Sequence, residues 1–165
     1  MSFQIKHLIL PLVLLLALPC ATKSQDKLLN ERMLPLRVEL EAAQVAIDTC
    51  GAKHVAVHVY VVDAFGNIML LLVGDGAHYD TVSGARRKAY TAAILGEPTI
   101  EIQKRLAANP SLKPPADPMF LFLGGGVPIR AGGEVIGALA VGGGSPDQDA
   151  ECAQAGLDKI RPYLQ

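Results

Sequence analysis

One stretch of the chain groups three side-chain chemistries. The segment Gly74–Tyr79, with the sequence GDGAHY, holds an acid, an imidazole and a phenol at the end of a predicted strand. Imidazole and phenolate can both ligate haem iron in proteins. The candidate cofactor-binding residues here are Asp75, Gly76, His78 and Tyr79, and the candidate metal ligand is His78. The competing interpretation is an ordinary turn with exposed polar side chains.

A basic cluster, Arg86–Arg87–Lys88, follows on a predicted helix whose inner face carries small residues. An amine on such a helix can act in catalysis or anchor an anion. The competing interpretation for Lys88 is a structural contact or a solvated position. No histidine at a recognisable spacing serves Ser83 as a base, so a nucleophilic hydrolase is not expected.

The glycine clusters Gly124–Gly126 and Gly142–Gly144 are not typical of nucleotide sites. The first leads into Val127–Pro128 instead of the helix that a dinucleotide fingerprint requires. The second precedes a helix with acidic residues in its first turn, which disfavours a bound anion. Tight turns and close backbone approaches are the expected role of both. His54 and His58 share a predicted strand, at a spacing that is loose for a metal pair.

Hydrophobic periodicity predicts helices that alternate with short strands. The predicted helices are Leu34–Cys50, Asp80–Leu95, Thr99–Ala108 and Pro146–Ile160, with Thr99 and Ser145 as N-caps. The predicted strands are Lys53–Asp63, Ile68–Val73, Met119–Leu123, Val127–Arg130 and Glu134–Val141. The expected buried face of the first helix consists of Leu36, Leu40, Ala43, Ile47 and Cys50. Gly132–Gly133 suits a two-residue hairpin turn, because both central positions need positive φ.

This order of elements predicts an α+β fold. The expected architecture is a profilin-like α/β unit with a five-stranded antiparallel sheet and flanking helices, the first and last helices packed on one face. If those two helices run antiparallel, Cys50 approaches Cys152. The two cysteines then either form a disulfide or pack as buried apolar thiols.

Composition excludes some classes of function. The chain has 165 residues, of which 50% are hydrophobic and 19% charged, so it can bury a core. Its formal charge of −1 gives no basic footprint for nucleic acid. The absence of tryptophan and the few aromatic residues argue against a stacking platform for bases.

The N-terminus is expected to be a targeting segment. Lys6 precedes the apolar run Leu8–Leu18 and small residues follow it, as in a cleaved signal peptide. The run is shorter than the ~20 residues of a comfortable membrane span. The expected organisation is a signal peptide over 1–21, a flexible lead-in over 22–33 and one domain over 34–165, exported to the periplasm or secreted, with no membrane span after cleavage. The alternatives are a lipid anchor at Cys20 and an uncleaved signal anchor.

Five motifs occur in the order in which one protein family carries them. They are Val61–Gly66, Asp75–Ala77, Lys88–Ala92, the glycine-rich pair Gly124–Ile129 and Ile136–Gly143, and Asp147–Leu157. Together they resemble the GlcG/HbpS-like haem-binding proteins over nearly the whole mature chain. The sequence departs from the family at Val73–Gly74, where a basic residue or methionine is common.

The resemblance implies a haem-binding protein that forms homo-oligomers and acts in haem storage, sensing or degradation, more as a binding protein than as an enzyme. It implies haem, a small planar cofactor, held by the Asp75–Tyr79 loop together with Arg87, Lys88 and Thr91. Arg87 or Lys88 would pair with a propionate, and His78 or Tyr79 would approach the iron. The alternatives are an accessory protein or enzyme of small organic-acid or diol utilisation, and a non-catalytic scaffold or sensor partner.

Overall fold

The computed structural model describes residues 32–165, except for the side chain of Asp80. The expected signal peptide and most of the lead-in lie outside these residues. The helices are α1 (Leu36–Gly51), α2 (Val82–Leu95), α3 (Thr99–Ala108) and α4 (Pro146–Ile160). The strands are β1 (His58–Asp63), β2 (Ile68–Val73), β3 (Gly126–Ala131) and β4 (Glu134–Gly142). Within this part of the chain, no helix has the length and apolarity that crossing a membrane requires.

The α+β class is confirmed, but the described sheet has four antiparallel strands instead of five, in the order β2-β1-β4-β3. β1 and β4 are central: Tyr60 lies opposite Ala140 on one side and Leu71 on the other. The turn between β3 and β4 has φ of 58° at Gly132 and 86° at Gly133. The predicted two-residue hairpin is therefore confirmed.

The expected strand over Met119–Leu123 is wrong. The Leu121 N–H donates to Oγ1 of Thr91 at 2.8 Å, and Nη2 of Arg87 donates to the Phe120 carbonyl at 2.8 Å. Side chains of α2 thus take backbone groups that a strand would pair with a neighbouring strand. A short apolar run does not by itself distinguish a strand from an extended segment packed against a helix.

Residues of β1 alternate between the two faces of the sheet. Val59 and Val61 belong to the core beneath α1 and α4, whereas Tyr60 and Val62 pack with the alanines of α2. β1 begins later than predicted, at His58, because a turn follows α1.

The first part of the predicted strand lies in that turn. His54 has a φ of 58° and is exposed, whereas His58 is buried in β1. The two histidines therefore do not share a strand face, which removes the weak case for a metal pair.

The buried face of α1 differs from the expected one. Leu36 and Leu40 are 59% and 40% exposed. Ala43 and Cys50 are buried and Ile47 packs against the core, as expected. The other buried residues of the helix are Val38, Glu39, Ala42 and Ala46. α1 packs against both the sheet and α4, and small side chains allow close approach to both surfaces. The larger leucines are left outside for that reason.

The start of α4 is fixed by side-chain hydrogen bonds. Ser145 caps this helix in a capping box with Gln148, as its predicted N-cap role requires. The corresponding prediction for α3 is wrong, because its N-cap is Pro98 and not Thr99. The Thr99 hydroxyl instead accepts the Gly126 N–H at 2.8 Å.

A disulfide joins the end of α1 to the first turns of α4. Cys50 and Cys152 are bonded, with their Cα atoms 5.7 Å apart, and both are 0% exposed. The bond closes a separation of 102 residues along the chain. It ties together the two helices that cover one face of the sheet.

Candidate functional site

One face of the edge strand β2 carries exposed apolar side chains. Leu71 lies opposite Tyr60 and Val73 opposite His58, so both point to the face of the sheet on which α2 lies. α2 packs against β4, β3 and β1. It leaves Ile68, Leu71 and Val73 46%, 40% and 53% exposed. We call these residues the β2 strip, an apolar surface of the kind that binds a ligand or partner.

Tyr60 lies opposite Leu71 of the β2 strip, and Tyr79 and Arg86 lie near its phenol. Burial raises the pKa of the Tyr60 phenol, and the nearby positive charge of Arg86 opposes that rise. Tyr79 also lies close enough to Tyr60 to raise its pKa. Tyr79 is 89% exposed, so its hydroxyl is accessible to a molecule that lies on the strip.

The loop between β2 and α2 is held by hydrogen bonds at its α2 end and is exposed at its tip. Oγ1 of Thr81 donates to the His78 carbonyl at 2.9 Å and lies 3.1 Å from Nδ1 of the buried His58. Asp75, Gly76 and His78 are exposed. The described residues contain no group of three or more His, Cys, Asp or Glu side chains placed to hold a metal ion.

Lys88 faces the interior of the protein and not this loop. Its side chain is 7% exposed, and Nζ donates to Oδ2 of Asp149 at 2.6 Å and to the Val141 carbonyl at 3.2 Å. The other carboxylate oxygen of Asp149 accepts the Gly144 N–H at 2.9 Å. The ammonium is therefore occupied within the chain, and the expected contact between Lys88 and a propionate is not available.

Arg87 and Thr91 likewise serve the packing of α2. Thr91 is buried; its Oγ1 donates to the Arg87 carbonyl at 2.7 Å and accepts the Leu121 N–H. Nη2 of Arg87 holds the Phe120 carbonyl. Nε of Arg87 is buried without a hydrogen-bond partner in the described part of the chain. The described hydrogen bonds of both side chains go to α2 itself or to the Met119–Leu123 segment and not to the loop, so the structure separates the predicted site into two parts.

The glycine clusters surround the Lys88–Asp149 pair. Gly125 has a φ of 128°, and a Cβ added there would lie 2.9 Å from Nζ of Lys88 and 2.9 Å from Cβ of Asp149. Glycine is required at this position both for its backbone conformation and for the close approach. The expected role of the clusters as close backbone approaches fits this geometry.

Comparison with known proteins decides the family. The family model described as "Haem degrading protein HbpS-like" matches residues 34–158. The chain belongs to this HbpS-like family. The resemblance drawn from the sequence motifs is therefore confirmed.

Several known proteins are similar to this chain over most of its length. A double mutant of Streptomyces reticuli HbpS is 38% identical with a TM-score of 0.73, and the match covers 86% of this chain and 96% of that one. The PduOC:heme complex is 24% identical with a TM-score of 0.72, covering 79% and 96%. An uncharacterized 15.0 kDa protein of the Citrobacter freundii dhaT–dhaS intergenic region is 31% identical, covering 79% and 96%.

The sequence reasoning missed the β2 strip, Tyr60 and Arg86. One signal was present: β2 reads IMLLLV, without a single polar residue. An antiparallel edge strand with one solvated face normally alternates apolar and polar residues. A wholly apolar strand must therefore be covered on both faces or expose an apolar surface, and here the second case holds.

Proposed function

We propose that this protein binds haem on the β2 strip. Membership of the HbpS-like family, described as haem degrading, supports haem binding, as does the haem complex formed by the similarly folded PduOC. The proposed position of the haem rests on the uncovered apolar face of β2, which lies beside the Tyr60 phenol and near the Arg86 guanidinium.

The described residues offer the types of side chain that a haem group requires. The β2 strip offers an apolar surface to a flat ring, and Arg86 forms no ion pair within the described residues. Its guanidinium is therefore available to a propionate, the partner that forms short charge-assisted hydrogen bonds with it. When bound, haem supplies a redox-active iron whose behaviour depends on its axial ligand.

Of the two candidate iron ligands, Tyr79 is the better placed. Its phenol is close enough to Tyr60 to affect the pKa of that residue, and Tyr60 lies directly opposite Leu71 of the strip. We therefore assign iron ligation to Tyr79 and a neighbouring, non-ligating position to His78.

The first experiment is a haemin titration of the purified protein, followed by Soret absorbance. Saturable binding is expected to weaken at least about tenfold in Leu71→Asp, because a charge on the strip would lose its solvation beneath the ring. Leu112→Asp is the matched control, because Leu112 is 42% exposed and lies outside the strip. Absence of a saturable Soret shift would refute the haem proposal.

The ligand assignment has its own readout. Tyr79→Phe removes the phenolate oxygen and is expected to change the visible bands of the ferric complex, whereas His78→Ala leaves them as in the unmodified protein. The reverse pattern would assign the iron to His78. Identical spectra in both variants would place the iron ligand elsewhere.

We also propose that the protein is exported and forms homo-oligomers. The apolar run after Lys6 supports export, and the Cys50–Cys152 bond suits an oxidising compartment. The uncovered strand β2 supports association between copies. Cell fractionation tests export, and analytical ultracentrifugation tests the formation of homo-oligomers.

An accessory protein or enzyme of organic-acid utilisation would use the same loop together with Lys88. Lys88 is buried against Asp149, so that combination is not available at the loop. No observation favours a scaffold without a ligand. Haem binding is therefore the function that the described geometry supports best.

A further inference from the structure

A groove of about 630 Å³ opens between the start of α1, the β3–β4 hairpin and the C-terminal residues. Its lining includes Arg32, Leu34, Arg37, Val38, Ile136 and Tyr163. We call it the α1 groove. Its volume lies within the range of small-molecule sites, about 300–1,000 Å³, and no residue of the haem proposal lines it.

A buried carboxyl adjoins the α1 groove. Glu39 lines a cavity of about 10 Å³ that shares Met33, Leu34 and Ile136 with the groove. This is room for about one water-sized group. Glu39 is 3% exposed and has no hydrogen bond or ion pair within the described residues. Because Glu39 lines the cavity, its carboxyl can form a hydrogen bond with a ligand atom placed there.

The second acid at this cavity is already engaged. The Asp63 carboxylate accepts the N–H groups of Phe65 at 2.8 Å and Asn67 at 2.9 Å in the β1–β2 turn. Burial raises the pKa of Glu39, which favours its neutral, hydrogen-bond-donating form. Glu39 is thus the acid that remains open to a ligand.

The guanidinium groups of the α1 groove have no carboxylate partner within the described residues. Arg37 lies 5.2 Å from the centroid of the Tyr163 ring, and Arg32 donates to a backbone carbonyl at 3.3 Å. Glu41, four residues after Arg37 on α1, is held by Lys159 at 3.2 Å and by the Tyr163 hydroxyl at 3.2 Å. Two uncompensated guanidiniums beside apolar walls attract an anion with an apolar body.

We propose that the α1 groove binds a small carboxylic acid with an apolar body. The ligand carboxylate pairs with Arg37, and its body lies on Leu34 and Val38. A hydroxyl at the inner end of the ligand satisfies Glu39. This site is independent of haem on the β2 strip, although haem is itself an apolar carboxylate and is therefore included in the test.

The experiment is isothermal titration of the purified protein with sodium octanoate, with 1-octanol as the uncharged control ligand. Arg37→Gln is expected to weaken octanoate binding at least about tenfold, since it removes a charge-assisted hydrogen bond. Lys113→Gln is the matched control, an exposed cation outside the groove. Circular dichroism of each variant checks that it is folded.

The result that supports the site is saturable octanoate binding that weakens in Arg37→Gln and not in Lys113→Gln, with weaker binding of 1-octanol. No saturable binding, or equal affinity in both variants, overturns it. For Glu39, 8-hydroxyoctanoate is expected to bind more tightly than octanoate, and to lose this advantage in Glu39→Leu. An advantage that persists in Glu39→Leu overturns the assignment of that residue.

Haemin titrations of the same variants separate the two proposals. If haemin displaces octanoate and its binding weakens in Arg37→Gln but not in Leu71→Asp, the groove is the haem site and the organic-acid proposal is overturned. Octanoate binding that survives in Leu71→Asp supports two separate sites. Because one variant alters only the strip and the other only the groove, each proposal fails without the other.

Discussion

Lys88 is a candidate binding residue by its type, but in the structure it has a structural role in an ion pair with Asp149. Their side chains are 7% and 1% exposed, whereas each partner in the other described ion pairs is at least 31% exposed. The described hydrogen-bond partners of the Lys88 ammonium and the Asp149 carboxylate are all groups of this chain. Such a pair holds α2 to α4 because neither charge can be left alone in a dry interior.

Lys88→Met is expected to lower the free energy of unfolding by about 3–5 kcal/mol, because it leaves the Asp149 carboxylate buried and unpaired. Asp149→Leu should cost a similar amount, and the double variant less than the sum of the two. Urea unfolding of the four proteins measures the coupling. The exposed pair Lys104–Glu101 provides the control, since Lys104→Met should cost about 0–1 kcal/mol. Equal losses at the two pairs would contradict this account.

Glu39 predicts a pH dependence of stability. Burial raises its pKa above the ordinary value of 4.5, so the folded protein keeps a proton that the unfolded chain has released. Between these two pKa values the folded state binds more protons, and the free energy of unfolding therefore falls as the pH rises above 4.5. Glu39→Gln should remove this fall.

Urea unfolding at several pH values between about 4 and 8 measures the effect. Glu134→Gln is the control, because Glu134 is exposed. The interpretation fails if Glu39→Gln and Glu134→Gln change the slope of stability against pH by the same amount. The other acid at the same cavity, Asp63, is present in both variants and cancels in the comparison.

At the scale of elements, the sequence predicted the helices and the β1–β2 and β3–β4 hairpins well. These elements depend on local signals: the alternation of Val59, Tyr60 and Val61, the glycine pair of the hairpin, and the Ser145–Pro146 start of α4. Such signals act within a few residues of the chain. Contacts with distant parts of the chain did not change the secondary structure that these local signals predict.

The sequence-based predictions were wrong where contacts with residues far away in the sequence determine the structure. Met119–Leu123 has the composition of a strand, but side chains of α2 take its backbone groups. α1 turned its small residues inward because α4 lies beside it. Lys88 is buried because it pairs with Asp149, which lies 61 positions away in the sequence. No local pattern of residues encodes these long-range contacts, so the candidate site was predicted less well than the fold.

The anchoring of the Met119–Leu123 segment gives a prediction for Thr91. Thr91→Val is expected to lower the free energy of unfolding by about 1–3 kcal/mol and to speed hydrogen exchange at Leu121, because the amide loses its acceptor. Thr49→Val is the control: its hydroxyl donates to the Val45 carbonyl within α1 and accepts no described backbone N–H. Unchanged exchange at Leu121 in Thr91→Val would show that Thr91 does not hold the segment.

For the domain over residues 32–165, α4 is the element that links both sides of the sheet. The disulfide attaches it to α1 on one face, and Asp149 attaches it to α2 on the other. The candidate haem surface on β2 belongs to neither attachment. Stability and ligand binding should therefore respond separately to changes at these places.

Removing the disulfide tests that separation. Chain-entropy arithmetic for a separation of 102 residues gives a loss of about 4–5 kcal/mol in the free energy of unfolding. We expect Cys50→Ala/Cys152→Ala to unfold at a lower urea concentration than the unmodified protein, which should fall to the same midpoint under reductant. The variant itself should not respond to reductant. Because neither cysteine borders the β2 strip or the α1 groove, haemin and octanoate affinities should stay within about twofold while the variant is folded. A parallel loss of ligand binding in the folded variant would mean that α4 also positions the surfaces that bind ligands.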